Sequence, residues 1–294
     1  MMRLPQIALL GDGKRLHLQD GPVDLIVEAN GKNTEVRAAY EAAARRFTGL
    51  LDQLCAELSE LRKAAHPMHC PLKGVVARRM HAAVAPFASD QFITPMASVA
   101  GSVAEEILRV MVAAADLNRA YVNNGGDIAL HLSAGERFSI GLMDRPDTLG
   151  VMRTFMVEAN DPSRGIASSG RHGRSFSLGI ADAVTVLAKT ASQADAAATI
   201  IANAVDLPTH PAIVRCPANE LQVDSDLGPR LVTRGVGRLT ARDIAEALAA
   251  GETVGRKLLA EGLIDGAALC LAGEIAVIGA RKPLARHERV LEIA

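Results

Sequence analysis

The 294-residue sequence contains no tryptophan, and aromatic residues make up only 3% of it. Proteins that bind single-stranded nucleic acid stack bases on aromatic rings. Proteins that bind duplexes need a basic surface that displaces counterions from the phosphates. Here 32 Lys and Arg stand against 33 Asp and Glu, so the formal net charge is only -1. The composition therefore argues against a nucleic-acid partner.

Long hydrophobic runs and paired cysteines are also missing. A membrane span needs about 20 apolar residues, whereas the longest candidate, residues 91–104, has 14 and includes a proline, a glycine and two serines. The N-terminus lacks the cleavage site of a secretory signal. The four cysteines are scattered without a C-x-x-C pair. We expect a cytoplasmic protein with reduced thiols and no membrane partner.

Hydrophobic residues make up 49% of the chain, which is enough for a compact core at this length. Segments with strand patterns outnumber helical segments, and they occur in pairs joined by short turns. This organisation predicts an α+β fold with mainly antiparallel sheets and packed helices. We expect one domain over residues 1–294, with a partly ordered tail at residues 281–294.

Four segments have helix signatures. Residues 36–63 carry one apolar stripe at alternating three- and four-residue spacing, which predicts a core-packing helix, with a dimeric coiled coil as the alternative. Three further helix starts are predicted from capping-box patterns, in which a hydroxyl residue precedes a carboxylate by three positions. These patterns are Ser102–Glu105, Ser192–Asp195 and Thr240–Asp243.

The first candidate binding segment is Asn123-Asn124-Gly125-Gly126-Asp127, between two apolar strand patterns. Two glycines allow the backbone to approach a ligand closely. The Asp127 carboxylate can accept hydrogen bonds from the ring nitrogens of a heterocycle. A plain hairpin turn is the alternative interpretation.

The second candidate segment, residues 165–175, combines small residues with two arginines and a histidine. Exposed backbone N–H groups beside guanidinium groups suit a phosphate or pyrophosphate. The alternative is a flexible solvated loop, and a serine nucleophile is disfavoured because no G-x-S-x-G elbow is formed. The candidate phosphate-binding residues are Ser168, Ser169, Gly170, Arg171 and Arg174.

The third candidate is the pair Asp195 and Thr199, four residues apart on one predicted helix face. A carboxylate and a hydroxyl in this arrangement can hold a hard cation such as Mg²⁺, but Asp195 is equally placed to cap its own helix. The sequence also brings His66, His69 and Cys70 close together. Their spacing matches no zinc pattern, so we predict no metal there.

In this order and spacing, the segments resemble the ApbE family of flavin transferases, which use FAD and Mg²⁺ to attach FMN to a protein threonine. The resemblance runs from about residue 34 to residue 205. It implies an ApbE-like fold, a flavin beside Asn124-Gly125-Gly126-Asp127 and Mg²⁺ held by Asp195 and Thr199. The matching pieces are a long helix, Pro95–Ser102, Tyr121–Asp127, Ile166–Gly170, Ala183–Ala188 and Ala191–Thr199.

The chain departs from this family at two points. The family's lysine-glycine pair appears here as Gly101-Ser102, and its histidine-x-isoleucine-aspartate-proline segment is missing before the strand that begins near Asp182. The chain therefore resembles a shorter ApbE-like branch. Phosphoryl transfer depends on positioning and on charge stabilisation, so we expect FMN transfer to protein threonine to be absent or very slow.

These observations predict an ApbE-like protein whose partner is a small molecule: FAD, FMN or a related phosphate-bearing heterocycle, with Mg²⁺ as a candidate cofactor. One alternative is a small-molecule biosynthetic enzyme, for example in a pterin pathway, and another is a non-catalytic binding or scaffold protein. If the chain is a transferase-like enzyme, titratable groups should converge in its cleft. The candidates for catalysis are His172, Asp182 and Glu106. The sequence is compatible with a monomer or a homo-oligomer.

Overall fold

The computed structural model describes residues 4–143 and 151–279. Strands outnumber helices in these residues, as the sequence predicts. The strands are β1 (Gln6–Leu9), β2 (Leu16–Asp20), β3 (Val23–Gly31), β4 (Leu117–Asn124), β5 (Asp127–Leu132), β6 (Arg137–Met143), β7 (Val151–Glu158), β8 (Gly165–Ser169), β9 (Ala183–Ala188), β10 (Ile213–Pro217), β11 (Leu231–Val236), β12 (Gly266–Leu271) and β13 (Glu274–Ile278). The α-helices are α1 (Asn33–Phe47), α2 (Leu50–Ala56), α3 (Leu58–Leu61), α4 (Val75–Val84), α5 (Val99–Ala114), α6 (Ala191–Ala204), α7 (Ala218–Leu221) and α8 (Ala241–Ala260).

Nine of the strands form one antiparallel sheet in the order β1-β2-β3-β4-β5-β8-β9-β12-β13. Its centre is the pairing of β5 with β8, in which Ile128 lies opposite Ile166 and Ala129 opposite Gly165. The pairs β6–β7 and β10–β11 form separate two-stranded sheets. The predicted α+β class with mainly antiparallel sheets is confirmed.

Helices cover one face of the large sheet. Val122 of β4 belongs to a buried cluster that also contains Phe47 of α1 and Ile107 of α5. Val186 of β9 belongs to a second cluster, with Ile201 of α6. Because successive strand residues point to opposite faces, these contacts place α5 and α6 side by side over the middle of the sheet.

The β6–β7 hairpin covers part of the opposite face. Tyr121 and Leu130, each adjacent in sequence to a residue of the helical face, pack in a third cluster with Phe138 and Ile140 of β6. Alternate side chains of β4 and β5 therefore contribute to two separate hydrophobic clusters, one on each face of the sheet. This alternation also fixes the register of the strands that carry the first candidate segment.

The apolar stripe of residues 36–63 is buried as predicted, but it does not form one helix. The chain forms three successive helices, α1, α2 and α3, and Gly49 lies between the first two in the left-handed region with φ 75°. Phe47, Leu54 and Leu61 are all buried in the same core. The stripe survives the break because each short helix keeps its apolar side towards the sheet.

Of the three predicted capping boxes, the one at α8 is confirmed. Thr240 and Asp243 exchange hydrogen bonds between side chain and backbone at the start of that helix. The prediction for α5 is wrong, because the helix begins earlier, with Ser98 at the N-cap position. Ser102 therefore lies inside α5, where it is buried.

The prediction that Ser192 caps α6 is also wrong. The N-cap residue is Thr190, whose hydroxyl accepts a hydrogen bond from the backbone N–H of Gln193 at 3.3 Å. Asp195 therefore lies beyond the first turn of the helix. Its carboxylate does not cap its own helix and can therefore contact another part of the protein.

Two further expectations concern the chain's periphery. The tail at residues 281–294 lies outside the described residues. Among the helices that the structure describes, none is long and apolar enough to cross a membrane.

Candidate functional site

The first candidate segment is the turn that joins β4 to β5. Gly125 and Gly126 form it with φ angles of 65° and 106°, a region that disfavours other residue types. The side-chain oxygen of Asn123 accepts a hydrogen bond from the N–H of Gly126 at 2.8 Å and closes the turn. Asp127 follows as the first residue of β5 and is buried. The turn thus holds a carboxylate at a fixed position at the strand end.

Arg174 from the second candidate segment lies directly against this turn. A Cβ atom added to Gly125 would be only 1.8 Å from Nη2 of Arg174. The guanidinium group therefore occupies the space that a side chain at position 125 would need.

Asp127 connects the first segment to β8. Its Oδ1 accepts a hydrogen bond from the backbone N–H of Ser168 at 3.2 Å. Burial raises the pKa of Asp127 well above the usual range, and the nearby charge of Asp195 raises it further. The Ser168 N–H and Arg174 offset only part of this effect. Asp127 is thus a buried acid beside a second acid.

Asp195 on α6 is that second acid, and it reaches across to the first turn of α5. Its Oδ2 accepts a hydrogen bond from the N–H of Gly101 at 2.9 Å. Burial raises the pKa of Asp195 to about 7, even though the N–H groups of Gly101 and Ala100 favour the ionised form. The side-chain amide of Asn124 donates to the Ala100 carbonyl at 3.1 Å and links the same turn of α5 to the strand end.

Glycine is required at position 101 because the two helices meet there backbone to backbone. A Cβ atom at Gly101 would lie 2.3 Å from the carbonyl oxygen of Ala191, the first residue of α6. This contact is what brings the Asp195 carboxylate within reach of α5.

Thr199 lies one turn after Asp195 on α6 and is partly exposed. The described residues contain no group of three or more His, Cys, Asp or Glu side chains placed to hold a metal ion. The carboxylates of Asp127 and Asp195 are neighbours, and Thr199 follows Asp195 on the same helix. Such a donor set suits a hard cation that keeps part of its water shell.

The remaining charged residues of the second segment turn towards Asp182 instead. Nε of Arg171 donates to Oδ1 of Asp182 at 2.8 Å, and Nε2 of His172 lies 3.1 Å from the same oxygen. The other oxygen of Asp182 accepts the N–H of Ala272 at 2.5 Å. Asp182 is buried, so this cluster fastens the base of the loop that carries Arg174 to β12 and its turn.

Ser169 and Gly170 form the junction between β8 and this loop. Ser169 pairs with Val184 of β9 in the sheet. A Cβ atom at Gly170 would lie 2.4 Å from the carbonyl oxygen of Asp182. These residues shape the loop, while Ser168, Asp127 and Arg174 meet around the turn.

Glu106, the third candidate for catalysis, lies in an arginine cluster. Its carboxylate pairs with Arg46 of α1 at 2.7 Å, with Arg79 of α4 at 3.0 Å and with Arg109 of α5 at 3.1 Å. Burial raises the pKa of Glu106, but the hydrogen bonds from the three arginines outweigh burial and lower the pKa to about 2. The ionised Glu106 carboxylate therefore links α5 to α1 and α4 through ion pairs.

The role of Glu105 as a partner of α6 was not predicted from the sequence. Its Oε2 accepts hydrogen bonds from the backbone N–H of Ser192 at 3.3 Å and from the Ser192 hydroxyl at 2.8 Å. Arg79 pairs with the same side chain at 3.0 Å.

Comparison with known proteins agrees with this architecture. A family model described as "AbpE bacteria" matches residues 7–277. A UPF0280 protein of Methanopyrus kandleri is 36% identical over 184 residues, which cover 61% of this chain and 69% of that protein. A UPF0280 protein of Methanothermobacter thermautotrophicus is 38% identical over 116 residues, which cover 40% of this chain and 44% of that protein. The match thus spans less than half the length of the second relative.

A solved structure shares the fold. The crystal structure of the ApbE protein from Thermotoga maritima superposes with a TM-score of 0.55 over 92% of this chain and 96% of that protein, at 12% sequence identity. At this identity the likeness concerns the fold alone. Together with the match of the family model over most of the chain, it confirms the family resemblance, and the chain belongs to the ApbE-like family, in the branch that contains the UPF0280 proteins.

Proposed function

We propose that this protein binds a flavin nucleotide, FAD or FMN, or a related heterocycle that carries phosphate. One observation carries the proposal: three segments distant in sequence converge on Asp127. Ser168 donates its N–H to this carboxylate, Arg174 lies against the adjacent turn, and Asp195 is near enough to raise its pKa. Buried acids of raised pKa beside a glycine turn are typical of binding sites.

The heterocycle would lie beside Gly126. A Cβ atom at this residue would meet nothing within 4 Å, so the backbone of the turn is open to a planar ring. Asp127 offers an acceptor to a ring N–H group and, when protonated, a donor. Burial and the charge of Asp195 raise the pKa of Asp127 and thereby favour its protonated form more than in an exposed carboxyl group.

The phosphate groups would lie towards Arg174, with Ser168 as a further contact. Arg174 can offer two parallel N–H groups to a phosphate. The hydroxyl of Ser168 is already paired with Thr185 at 2.8 Å, which orients it on the surface of the sheet. Arg171 contributes indirectly, because its guanidinium group is engaged with Asp182.

The donor set next to this position fits Mg²⁺. Asp195 and Thr199 would hold the ion, with Asp127 close by, and a divalent charge there would offset the repulsion between the two buried acids. The bound ion would neutralise negative charge on the phosphates. The chain's own contribution is to hold Asp195 in place through Gly101.

A non-catalytic scaffold is the competing function, and the pairing of the buried Asp127 with the partly buried Asp195 argues against it. Burying two acids side by side is costly unless they are neutralised. A scaffold would gain nothing from that cost. A biosynthetic enzyme for another heterocycle, such as a pterin, would use the same site and differs only in its ligand.

Titration of the purified chain with FAD and FMN tests the proposal, with flavin fluorescence and calorimetric heat as readouts. Each titration is run with Mg²⁺ and with EDTA, and a pterin serves as the competing heterocycle. We expect flavin binding in the micromolar range that strengthens with Mg²⁺. Lack of heat and of fluorescence change at several hundred micromolar would exclude both flavins. Binding of the pterin alone would identify the biosynthetic alternative.

A further inference from the structure

A cavity of about 310 Å³ lies apart from the residues described above, between the segment that follows α3, the second half of α4 and Pro95. Three histidines line it: His66, His69 and His81. Ligand pockets range from about 300 to 1,000 Å³, so this cavity suits a small molecule. It includes the histidine motif that matched no zinc pattern in the sequence.

His81 is the unusual member of the cavity wall. It lies on α4 and is 6% exposed, and its Nε2 atom is buried with no hydrogen-bond partner among the described residues. Most buried polar side-chain atoms in proteins have a partner, and one that lacks it calls for an explanation. A ligand that enters the cavity and shifts this ring would supply the missing contact.

The polar wall of the cavity is richer in donors than in acceptors. Nδ1 of His66 accepts the backbone N–H of Met68 at 3.1 Å, so its Nε2 carries a proton. Lys63 adds an ammonium group, and the single carboxylate in the lining, Glu60, is already paired with Lys63 at 2.5 Å. The N–H donors of Lys63 and His66 face a lining whose single carboxylate is already paired, which favours a ligand that accepts hydrogen bonds, such as a carboxylate.

The remaining wall is apolar and includes Pro71, Leu72 and Pro95. An inorganic phosphate would leave this wall without a partner, whereas a small organic acid places a carboxylate on one side and a hydrocarbon body on the other. The described residues contain no group of three or more histidine, cysteine or acidic side chains placed to hold a metal ion. The geometry therefore favours an organic anion over a metal ion.

We propose that this cavity is a binding site for a small organic carboxylate. The carboxylate group lies among Lys63, His66, His69 and His81, and the hydrocarbon body packs on Leu72. The site is separate from the flavin site, so flavin binding neither requires it nor tests it.

Titration with benzoate, acetate, benzamide and inorganic phosphate tests the site, because the four probes separate charge from apolar contact, and a parallel titration with Zn²⁺ tests for a metal site. The protein contains eight histidines, and labelling their rings with ¹³C gives a separate NMR signal for each. Benzoate should shift the signals of His66, His69 and His81 and leave the other five in place. Calorimetry should show benzoate binding at least about tenfold tighter than acetate, because its ring buries additional apolar area.

The neutral analogue benzamide should bind at least about tenfold more weakly than benzoate. Lys63→Ala and His69→Ala change exposed side chains and should each weaken benzoate binding severalfold without unfolding the chain. His17→Ala, on the β1–β2 hairpin, is the matched control and should leave the benzoate affinity unchanged.

The site assignment is wrong if 20 mM benzoate shifts none of these three histidine signals, or if Lys63→Ala and His69→Ala bind benzoate as the unaltered chain does. Equal binding of benzamide would overturn the role of charge. Phosphate binding as tight as that of benzoate would overturn the organic part of the proposal. Shifts of the three signals with Zn²⁺ alone, and not with benzoate, would identify a metal site in its place.

Discussion

The carboxylate of Asp195 on α6 accepts a hydrogen bond from the N–H of Gly101 in the first turn of α5, at 2.9 Å. The relationship is reciprocal, since Glu105 of α5 accepts two hydrogen bonds from Ser192 in the first turn of α6. Each helix therefore supplies an acid to the N-terminal end of the other, where the helix dipole favours negative charge. The exchange holds Asp195 between two helix ends, beside Asp127.

The first prediction concerns the role of Asp195. Asp195→Asn should lower Mg²⁺-dependent flavin affinity about tenfold or more, because changes at metal sites typically cost 10–100-fold and Asn removes the negative charge. Thr199→Val keeps the shape of the side chain and removes its hydroxyl, so it should show the same defect more mildly. Flavin titrations with Mg²⁺ and with EDTA measure both effects.

Thr190→Ala is the control for helix capping. It removes the true N-cap of α6 and should cost about 1 kcal/mol of stability, with the effect of Mg²⁺ on flavin affinity retained. If both Asp195→Asn and Thr199→Val respond to Mg²⁺ as the unaltered chain does, Asp195 only joins the two helices.

Features set by neighbouring residues could be predicted from the sequence. The turn at residues 123–127 was predictable because two glycines between alternating strands specify a tight hairpin. The contact between Asp195 and Gly101 was not, since it joins positions 94 residues apart. Nothing local to Asp195 distinguishes a helix cap from a carboxylate that serves another helix.

Two further features were not predicted from the sequence, because they too depend on residues that are distant in the chain. The sequence of β8 (Gly165–Ser169) consists of small residues apart from Ile166, and it has few of the branched and aromatic side chains that mark a strand. It is nevertheless a central strand, because close packing of α6 requires small residues there. The ion pairs of Glu106 could not be predicted from the sequence either, since Arg46 and Arg79 come from other helices.

The second prediction concerns transfer chemistry. Incubation with FAD, Mg²⁺ and an acceptor protein that carries a threonine site should yield no covalently flavinylated acceptor, or should yield it very slowly. The positions that the resemblance associates with transfer are occupied here by Gly101-Ser102 and by the short connection to Asp182. In-gel fluorescence after denaturation measures the product. A band that forms as fast as with an active flavin transferase run in parallel would contradict the prediction.

The third prediction concerns Gly125 and Arg174. Gly125→Ala should weaken flavin binding at least severalfold, because the new Cβ atom would lie 1.8 Å from Nη2 of Arg174 and must displace the guanidinium group. Gly13→Ala is the matched control, since Gly13 has nearly the same φ of 66° and nothing within 4 Å of the added Cβ atom. Both variants should lose about 1–2 kcal/mol of stability through backbone strain, and only Gly125→Ala should lose flavin affinity. Equal flavin affinity in the two variants would show that Arg174 plays no part in binding.

The last prediction separates structure from catalysis at Glu106. Its pKa is lowered from 4.5 to about 2, so the folded state favours the ionised carboxylate. The resulting stability is fully present above pH 4.5 and is lost as the pH falls through about 2. Glu106→Gln should therefore lower the free energy of unfolding by about 3 kcal/mol at pH 7, and this difference should shrink steadily between pH 4.5 and pH 2. Urea denaturation at a series of pH values measures this difference, with the exposed Glu41→Gln as a control that should change stability little at any pH.

Since Glu106 is held by three arginines of the helical layer, the flavin affinity of the folded Glu106→Gln variant at pH 7 should equal that of the unaltered chain. A loss of flavin affinity without a loss of stability would instead assign Glu106 to the binding site.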